Sequence, residues 1–283
     1  MSSTLTVTGS TRVYGLIGHP VRHSLSPSMY NTLFSRFGID AVYVALDVHP
    51  ENADQVADAI RALDFVGVNL TVPFKERVMP QLDRCTQAAV EAGAVNVVTS
   101  VQGTLTGYNT DGEGFSRSLA EEGGPSIDGA SVVVLGAGGA ARAVASTLVD
   151  RGAARVTILN RTVSRAQATA EALGGDVAWG GLTVDGFDSA ARGAQIVVNC
   201  TSGPARDRVA CFDPSVLAEG ASWVDINYWM ENPPLRAECQ AASVRFHDGI
   251  GMLAHQGALA FELFTGHPVS GAEIRQTLIA GLR

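Results

Sequence analysis

A chain of 283 residues, 46% apolar and with a formal net charge of −8, has the length for two domains or one large α/β domain and ample material for a core. The acidic balance disfavours nucleic acid or an anionic membrane as partner, no run of eighteen apolar residues offers a membrane span, and the opening MSSTLTVTGSTR lacks the apolar centre of a signal peptide. Four scattered cysteines without a C-x-x-C pair and six histidines without zinc-like spacing fit reduced thiols in a cytoplasm better than a disulfide framework or a metal site.

In chain order, apolar runs bounded by turn residues alternate with helical periodicity, the pattern of βαβ units in an α/β protein. Residues 13–17 read as a strand, 27–37 as a helix, 41–46 as a strand, 51–63 as a helix and 67–72 as a buried strand ending at Pro73. Two further helical stretches fit between 74 and 93. VVTSVQGTLTGYN then reads as a hairpin turning near Gly103, followed by a helix over 111–121. GGPSIDG at 123–129 marks a boundary, and a second α/β series opens at Ser131.

Lys75 is the first charged group beyond the strand that ends at Pro73. In open α/β sheets ligands bind beyond the carboxyl ends of strands. Taken alone it also reads as a solvated lysine at a helix start. Asp111 fits a helix N-cap equally well.

VVVLGAGGAARAV at 132–144 sets an apolar strand before Gly136, Ala137, Gly138, Gly139 and Ala140 and a helix after them. That is the context in which a glycine turn lets backbone N–H groups approach a pyrophosphate at a helix N-terminus, although the spacing is G-x-G-G-x-A. The next strand, RVTILNRTVSR, ends in Asn160, Arg161, Thr162 and Arg165, where NAD-binding units carry an acid for the ribose 2′-hydroxyl. Two guanidiniums and a hydroxyl suit a 2′-phosphate, so the expected cofactor is NADP(H).

SLSP at 24–27, NLTVPFK at 69–75, GAVN at 93–96, NTDG at 109–112, GAGGAAR at 136–142, NRTVSR at 160–165, DINY at 225–228 and DGIGMLAHQGALAF at 248–261 together resemble the shikimate dehydrogenase family. The resemblance implies an N-terminal α/β substrate domain (1–110 plus 250–283), a Rossmann-type NADP-binding domain (111–249), and terminal helices that return to the first. It implies reversible, NADP-linked reduction of 3-dehydroshikimate to shikimate in aromatic amino acid biosynthesis, with Lys75 and Asp111 as the catalytic pair. It also implies that Ser24 and Ser26 hold the substrate carboxylate. Asn69, Thr71, Asn96, Asp111, Tyr228 and Gln256 then surround the ring, while Gly249 and Ile226 lie by the nicotinamide.

The reaction is consistent with those residue types. A ketone reduced by hydride becomes an alkoxide that needs a proton, and a lysine can give it or, in reverse, take it back. Ser24 and Ser26 also read as helix caps, and Gln256 as a core amide satisfied by backbone. Departures from the family's pattern, SGPARDRV at 202–209, Ile226, and WMENPPL at 229–235, bear on substrate preference. Quinate and aminoshikimate dehydrogenases therefore stand as alternatives, with a non-catalytic NADP-sensing protein behind them. The oligomeric state, a homodimer included, is left open.

Overall fold

The computed structural model describes residues 7–201, 209–228 and 234–281. It divides into two compact units, residues 1–110 with 257–283 and residues 111–256.

The first unit holds β1 (Arg12–Gly18), α1 (Ser26–Phe37), β2 (Ala41–Asp47), α2 (Val56–Ala62), β3 (Gly67–Leu70), α3 (Phe74–Arg77), β4 (Arg84–Cys85), α4 (Gln87–Ala92), β5 (Val97–Val101) and β6 (Thr104–Tyr108). Its sheet runs β2-β1-β3-β5-β6-β4. The hairpin expected near Gly103 interrupts the otherwise parallel pattern. β5 pairs antiparallel with β6, because a two-residue turn, Gln102 and Gly103 with φ of 50° and 77°, can join only antiparallel neighbours, and it also runs antiparallel to β3.

Two expectations shift. The helix expected over 51–63 is a 3-10 turn (Pro50–Gln55) followed by α2. The Gln81 carboxamide sits across the junction, accepting from Ala57 N at 3.3 Å and donating to Ala53 O at 2.9 Å, so it takes the two backbone groups an unbroken helix would pair with each other. β3 stops at Leu70, two residues early, because Phe74 N closes a turn onto Thr71 O at 2.8 Å around Pro73, which has no N–H for a ladder. In the region of 74–93, α3 and α4 are separated by a 3-10 turn (Met79–Gln81) and β4.

Parallel register places Ile17 beside Leu70 and Gly18 beside Asp47. The carboxyl ends of β1, β2 and β3 therefore share one edge. The antiparallel neighbour β5 starts there too, since Asn69 faces Val97. Ile17, Val68, Leu70, Phe74, Val95 and Val98 pack in one buried cluster. Tyr14, Tyr30, Phe34, Phe261 and Phe264 form an aromatic group, with Tyr30 stacked on Tyr43 at 4.4 Å between centroids.

The second unit starts with α5 (Asp111–Glu121) and continues with β7 (Ser131–Leu135), α6 (Gly139–Asp150), β8 (Arg155–Asn160), α7 (Val163–Leu173), β9 (Val177–Gly181), α8 (Val184–Ala191), β10 (Ile196–Asn199), β11 (Ser222–Asp225), α9 (Pro234–Ala241) and β12 (Arg245–His247). The sheet runs β12-β11-β10-β7-β8-β9 with every pairing parallel. This is the doubly wound order, whose strand direction of travel reverses between β7 and β10. Val132, Val134, Ile158 and Val198 are buried on one face against α6 and α7, and Val133, Leu135, Val197 and Trp223 on the other with Phe187 of α8 and Cys239 of α9. α10 (Gly249–Thr265) crosses the division between units, and α11 (Gly271–Gly281) belongs with the first.

Two histidines of the second unit are buried against acids. His247 Nδ1 lies 3.1 Å from Glu122 Oε2 and its Nε2 lies 2.9 Å from Ser222 Oγ. His255 Nε2 lies 3.2 Å from Glu121 Oε2. Burial holds the His255 pKa below its ordinary 6.5, with Glu121 pulling it up and Arg117 pushing it down. A histidine whose folded pKa is depressed takes its proton more readily in the unfolded chain, so the stability it contributes is present above about pH 6.5 and is lost as pH falls below that. Thermal melts from pH 8 to pH 5 should therefore show the midpoint falling on the acid side, and His255→Gln should flatten that limb. An unchanged limb in the variant assigns the acid loss elsewhere.

Candidate active site

The residues singled out in the first unit collect at the shared edge of its sheet. Ser24 and Ser26 follow β1, Asn69 is in β3, Thr71 and Lys75 follow it, and Asn96 precedes β5. Ser26, Asn69 and Asn96 are buried; Ser24, Thr71 and Lys75 are half-buried. Ser24 Oγ accepts from Ser26 N at 3.2 Å, a local bond at the start of α1, whose N-cap position, Leu25, offers no side-chain cap. Lys75 lies in the first turn of α3, and its carbonyl accepts from Val95 N at 2.8 Å, which ties this turn to the segment carrying Asn96.

The carboxamides here have defined partners. Asn69 Nδ2 donates to Asn96 O at 3.1 Å, and Asn69 Oδ1 accepts from Tyr43 Oη at 2.7 Å. Asn96 grips Thr110, accepting from its N–H at 2.8 Å and donating through Nδ2 to its Oγ1 at 2.9 Å. This bidentate hold fixes the backbone immediately before Asp111.

In the second unit Asp111 is the first residue of α5 and 4% exposed, where the helix dipole favours its negative charge. Gln256 is half-buried and its Nε2 donates to Leu253 O at 2.9 Å, so part of its capacity is met by its own helix. On the same helix Leu253 and Ala260 are buried, whereas Leu263 is 37% exposed.

The nucleotide-type residues line the carboxyl edge of the second sheet. Gly136 has φ of 110°, and a Cβ there would lie 3.1 Å from Cys200 O, so no other residue suits the turn. Gly138, the N-cap of α6, caps with no side chain and would meet nothing within 4 Å if it carried a Cβ. Packing does not demand that glycine. Open space above uncapped backbone N–H groups, flanked by half-buried Gly139 and Ala140 and buried Ala137, is what a pyrophosphate cradle requires.

Beyond β8, Arg161, Thr162 and Arg165 are exposed, and α7 has no acid in its first turn. Asn160 Nδ2 shapes this shelf by donating to Thr162 O at 2.9 Å. Asn160 pairs with Gly181 of β9, whose missing side chain leaves room beside it. The residues present thus fit a dinucleotide bearing a 2′-phosphate. Gly249 opens α10, and a Cβ on it would collide with Ile226 O.

Sequence reasoning did not single out the buried network that supports Ile226. Asn199 Nδ2 donates to Asp225 Oδ2 at 3.0 Å, Thr201 Oγ1 donates to Asn199 Oδ1 at 2.7 Å, and Asn227 Nδ2 donates to Thr201 O at 3.2 Å. Ile226 N donates to Asn199 O at 3.1 Å. The available signal was N-x-T and D-x-N directly after apolar strands, the spacing of Asx turns; Thr201 N and Asn227 N do bond back to Asn199 Oδ1 and Asp225 Oδ1. Tyr43 was also missed. Tyr228 is half-buried, and the departures at 202–208 and 229–233 lie outside the described residues.

Residues 16–98 match the shikimate dehydrogenase substrate binding domain, 118–207 match shikimate / quinate 5-dehydrogenase, and 249–279 match the shikimate 5′-dehydrogenase C-terminal domain. The shikimate dehydrogenase (NADP(+)) of Methanopyrus kandleri is 41% identical over the full length of both chains. The crystal structure of shikimate 5-dehydrogenase from Thermus thermophilus in complex with NADP(H) and shikimate is 34% identical with a TM-score of 0.80, covering 95% of this chain and 99% of that one. Quinate dehydrogenase from Corynebacterium glutamicum in complex with NAD is 31% identical with a TM-score of 0.81, covering 95% and 99%. With these matches spanning both α/β units, the chain belongs to the shikimate dehydrogenase family.

Proposed function

We propose that the protein catalyses the reversible, NADP(H)-dependent reduction of 3-dehydroshikimate to shikimate. The observation that carries the reading is that Ser24, Ser26, Asn69, Thr71, Lys75 and Asn96 gather at one edge of the substrate-unit sheet, in a chain whose dinucleotide unit follows β8 with arginines instead of an acid. When bound, NADPH supplies hydride to the ketone carbon. Lys75 gives the proton to the resulting oxygen, and takes it back when shikimate is oxidised, while Asp111 supports the ammonium and a ring hydroxyl. Ser24 and Ser26 hold the carboxylate; Asn69, Thr71, Asn96, Tyr228 and Gln256 recognise the ring. Gly136 to Ala140 receive the pyrophosphate, Asn160 to Thr162 and Arg165 the 2′-phosphate, and Ile226 and Gly249 the nicotinamide side. In this assignment residues 1–110 and 250–283 form the substrate domain and 111–249 the cofactor domain.

Quinate is the competing substrate, favoured by the likeness to a quinate dehydrogenase. Initial rates with shikimate and quinate, each with NADP⁺ and NAD⁺, decide. A kcat/KM for shikimate with NADP⁺ at least about tenfold above the other three is expected, a margin of about 1.4 kcal/mol. Parity between the two acids marks a dual shikimate/quinate enzyme and reversal a quinate enzyme, while no turnover with either points to aminoshikimate or a sensing role.

The proposal extends to a cytoplasmic location, supported by four free cysteines, of which Cys239 is buried with its thiol pKa pushed up to about 12 by burial. Light scattering against the 29.5 kDa chain mass distinguishes a homodimer from a monomer.

A further inference from the structure

We propose that Tyr43 is a positioning residue for substrate binding, holding the Asn69 carboxamide in one orientation; this rests on the reading of Asn69 as a ring-recognising residue. A carboxamide has a donor end and an acceptor end that a rotation of its plane exchanges, so a ligand meets a defined pattern only where something fixes that rotation. Two neighbours fix it in Asn69. The Asn96 carbonyl can only accept, so the nitrogen must face it, at 3.1 Å. The oxygen then faces the Tyr43 hydroxyl, at 2.7 Å, which must donate. Asn69 has four hydrogen-bonding sites; these contacts use one donor and one acceptor, the Tyr30 hydroxyl also hydrogen-bonds Asn69, and an oxygen lone pair of fixed placement is left to receive a ligand hydroxyl.

Tyr43 is itself held from behind. β2 is the edge strand of its sheet, and the Asn31 carboxamide of α1 takes both backbone groups of Tyr43, accepting from its N–H at 2.9 Å and donating to its carbonyl at 2.9 Å. The ring is 1% exposed and stacks on Tyr30, whose own hydroxyl donates to Gly257 O at 3.3 Å. A phenol needed only to fill the core could have been a phenylalanine. Here its single polar atom is spent on the one amide of β3, and the chain of contacts runs Asn31, Tyr43, Asn69, Asn96, Thr110 across the first unit.

The test is Tyr43→Phe, which keeps the stacked ring and removes only the hydroxyl. The KM for shikimate should rise about tenfold as the Asn69 carboxamide loses its fixed orientation, with the KM for NADP⁺ within about twofold of wild type and the melting midpoint lowered by no more than about 2–4 °C, the cost of one buried hydrogen bond. A shikimate KM within twofold of wild type overturns the proposal, as does a parallel rise in both KM values with a melting midpoint lowered beyond that, which marks a purely structural role. The lock is also read without turnover, from the Asn69 side-chain amide resonances of the free protein, identified by their loss in Asn69→Ala. Slow hydrogen exchange in wild type and at least about tenfold faster exchange in Tyr43→Phe supports the lock; equal exchange overturns it. Should wild type fail to turn over shikimate or quinate, the substrate reading fails, and the exchange measurement still decides whether Tyr43 orients Asn69.

Discussion

Replacing Lys75 with alanine is expected to lower kcat by about 10²-fold or more while the KM for shikimate rises less, the signature of losing a positioned proton donor and acceptor rather than a binding group. Lys75 is half-buried in a four-residue helix, whose Lys75 carbonyl accepts from Val95 N and which buried Phe74 and Val78 flank. These contacts survive removal of the side chain, and the melting midpoint measured beside kcat separates a loss of proton transfer from a loss of structure. A kcat within about threefold of wild type excludes Lys75 from proton transfer. A large loss of both activity and thermal stability would point to disruption of the α3 turn instead.

The second large effect concerns cofactor choice. Neutral replacement of Arg161 and Arg165 together should weaken NADPH binding by about 10²-fold or more and leave NADH nearly unaffected, since each charge-assisted hydrogen bond to phosphate contributes about 1.5–3 kcal/mol. Both side chains are exposed at the start of α7, where a cation opposes the helix dipole and a bound phosphate offsets that cost. Titration of both cofactors by fluorescence quenching checks it. An equal loss for NADPH and NADH would place the arginines on the shared pyrophosphate or in folding.

What the sequence by itself determined is the α/β class and the places where chemistry-bearing residues follow apolar runs. Strand ends are legible because period, β-branching and a terminating glycine or proline are local properties. GAGGAAR after VVVL and NRTVSR after VTIL put a glycine turn and two arginines directly beyond apolar runs, where β7 and β8 end, and α5 over Asp111–Glu121 and the turn at Gln102–Gly103 fall where the residues put them.

Only the tertiary structure decided what depends on partners distant in the chain. Nothing near residues 53–57 announces that Gln81 breaks the helix there, and nothing in the hairpin announces that β5 runs antiparallel to β3. Asn69 and Asn96 could be read as polar residues in apolar company, but not that one answers to Tyr43 and the other to Thr110. Likewise the DINY motif marks Asp225 without naming its partner, Asn199, 26 residues earlier, which the fold brings against it. A buried polar group must find a partner, and local sequence states the need without naming the residue that meets it, because that residue is chosen by sheet register and helix packing.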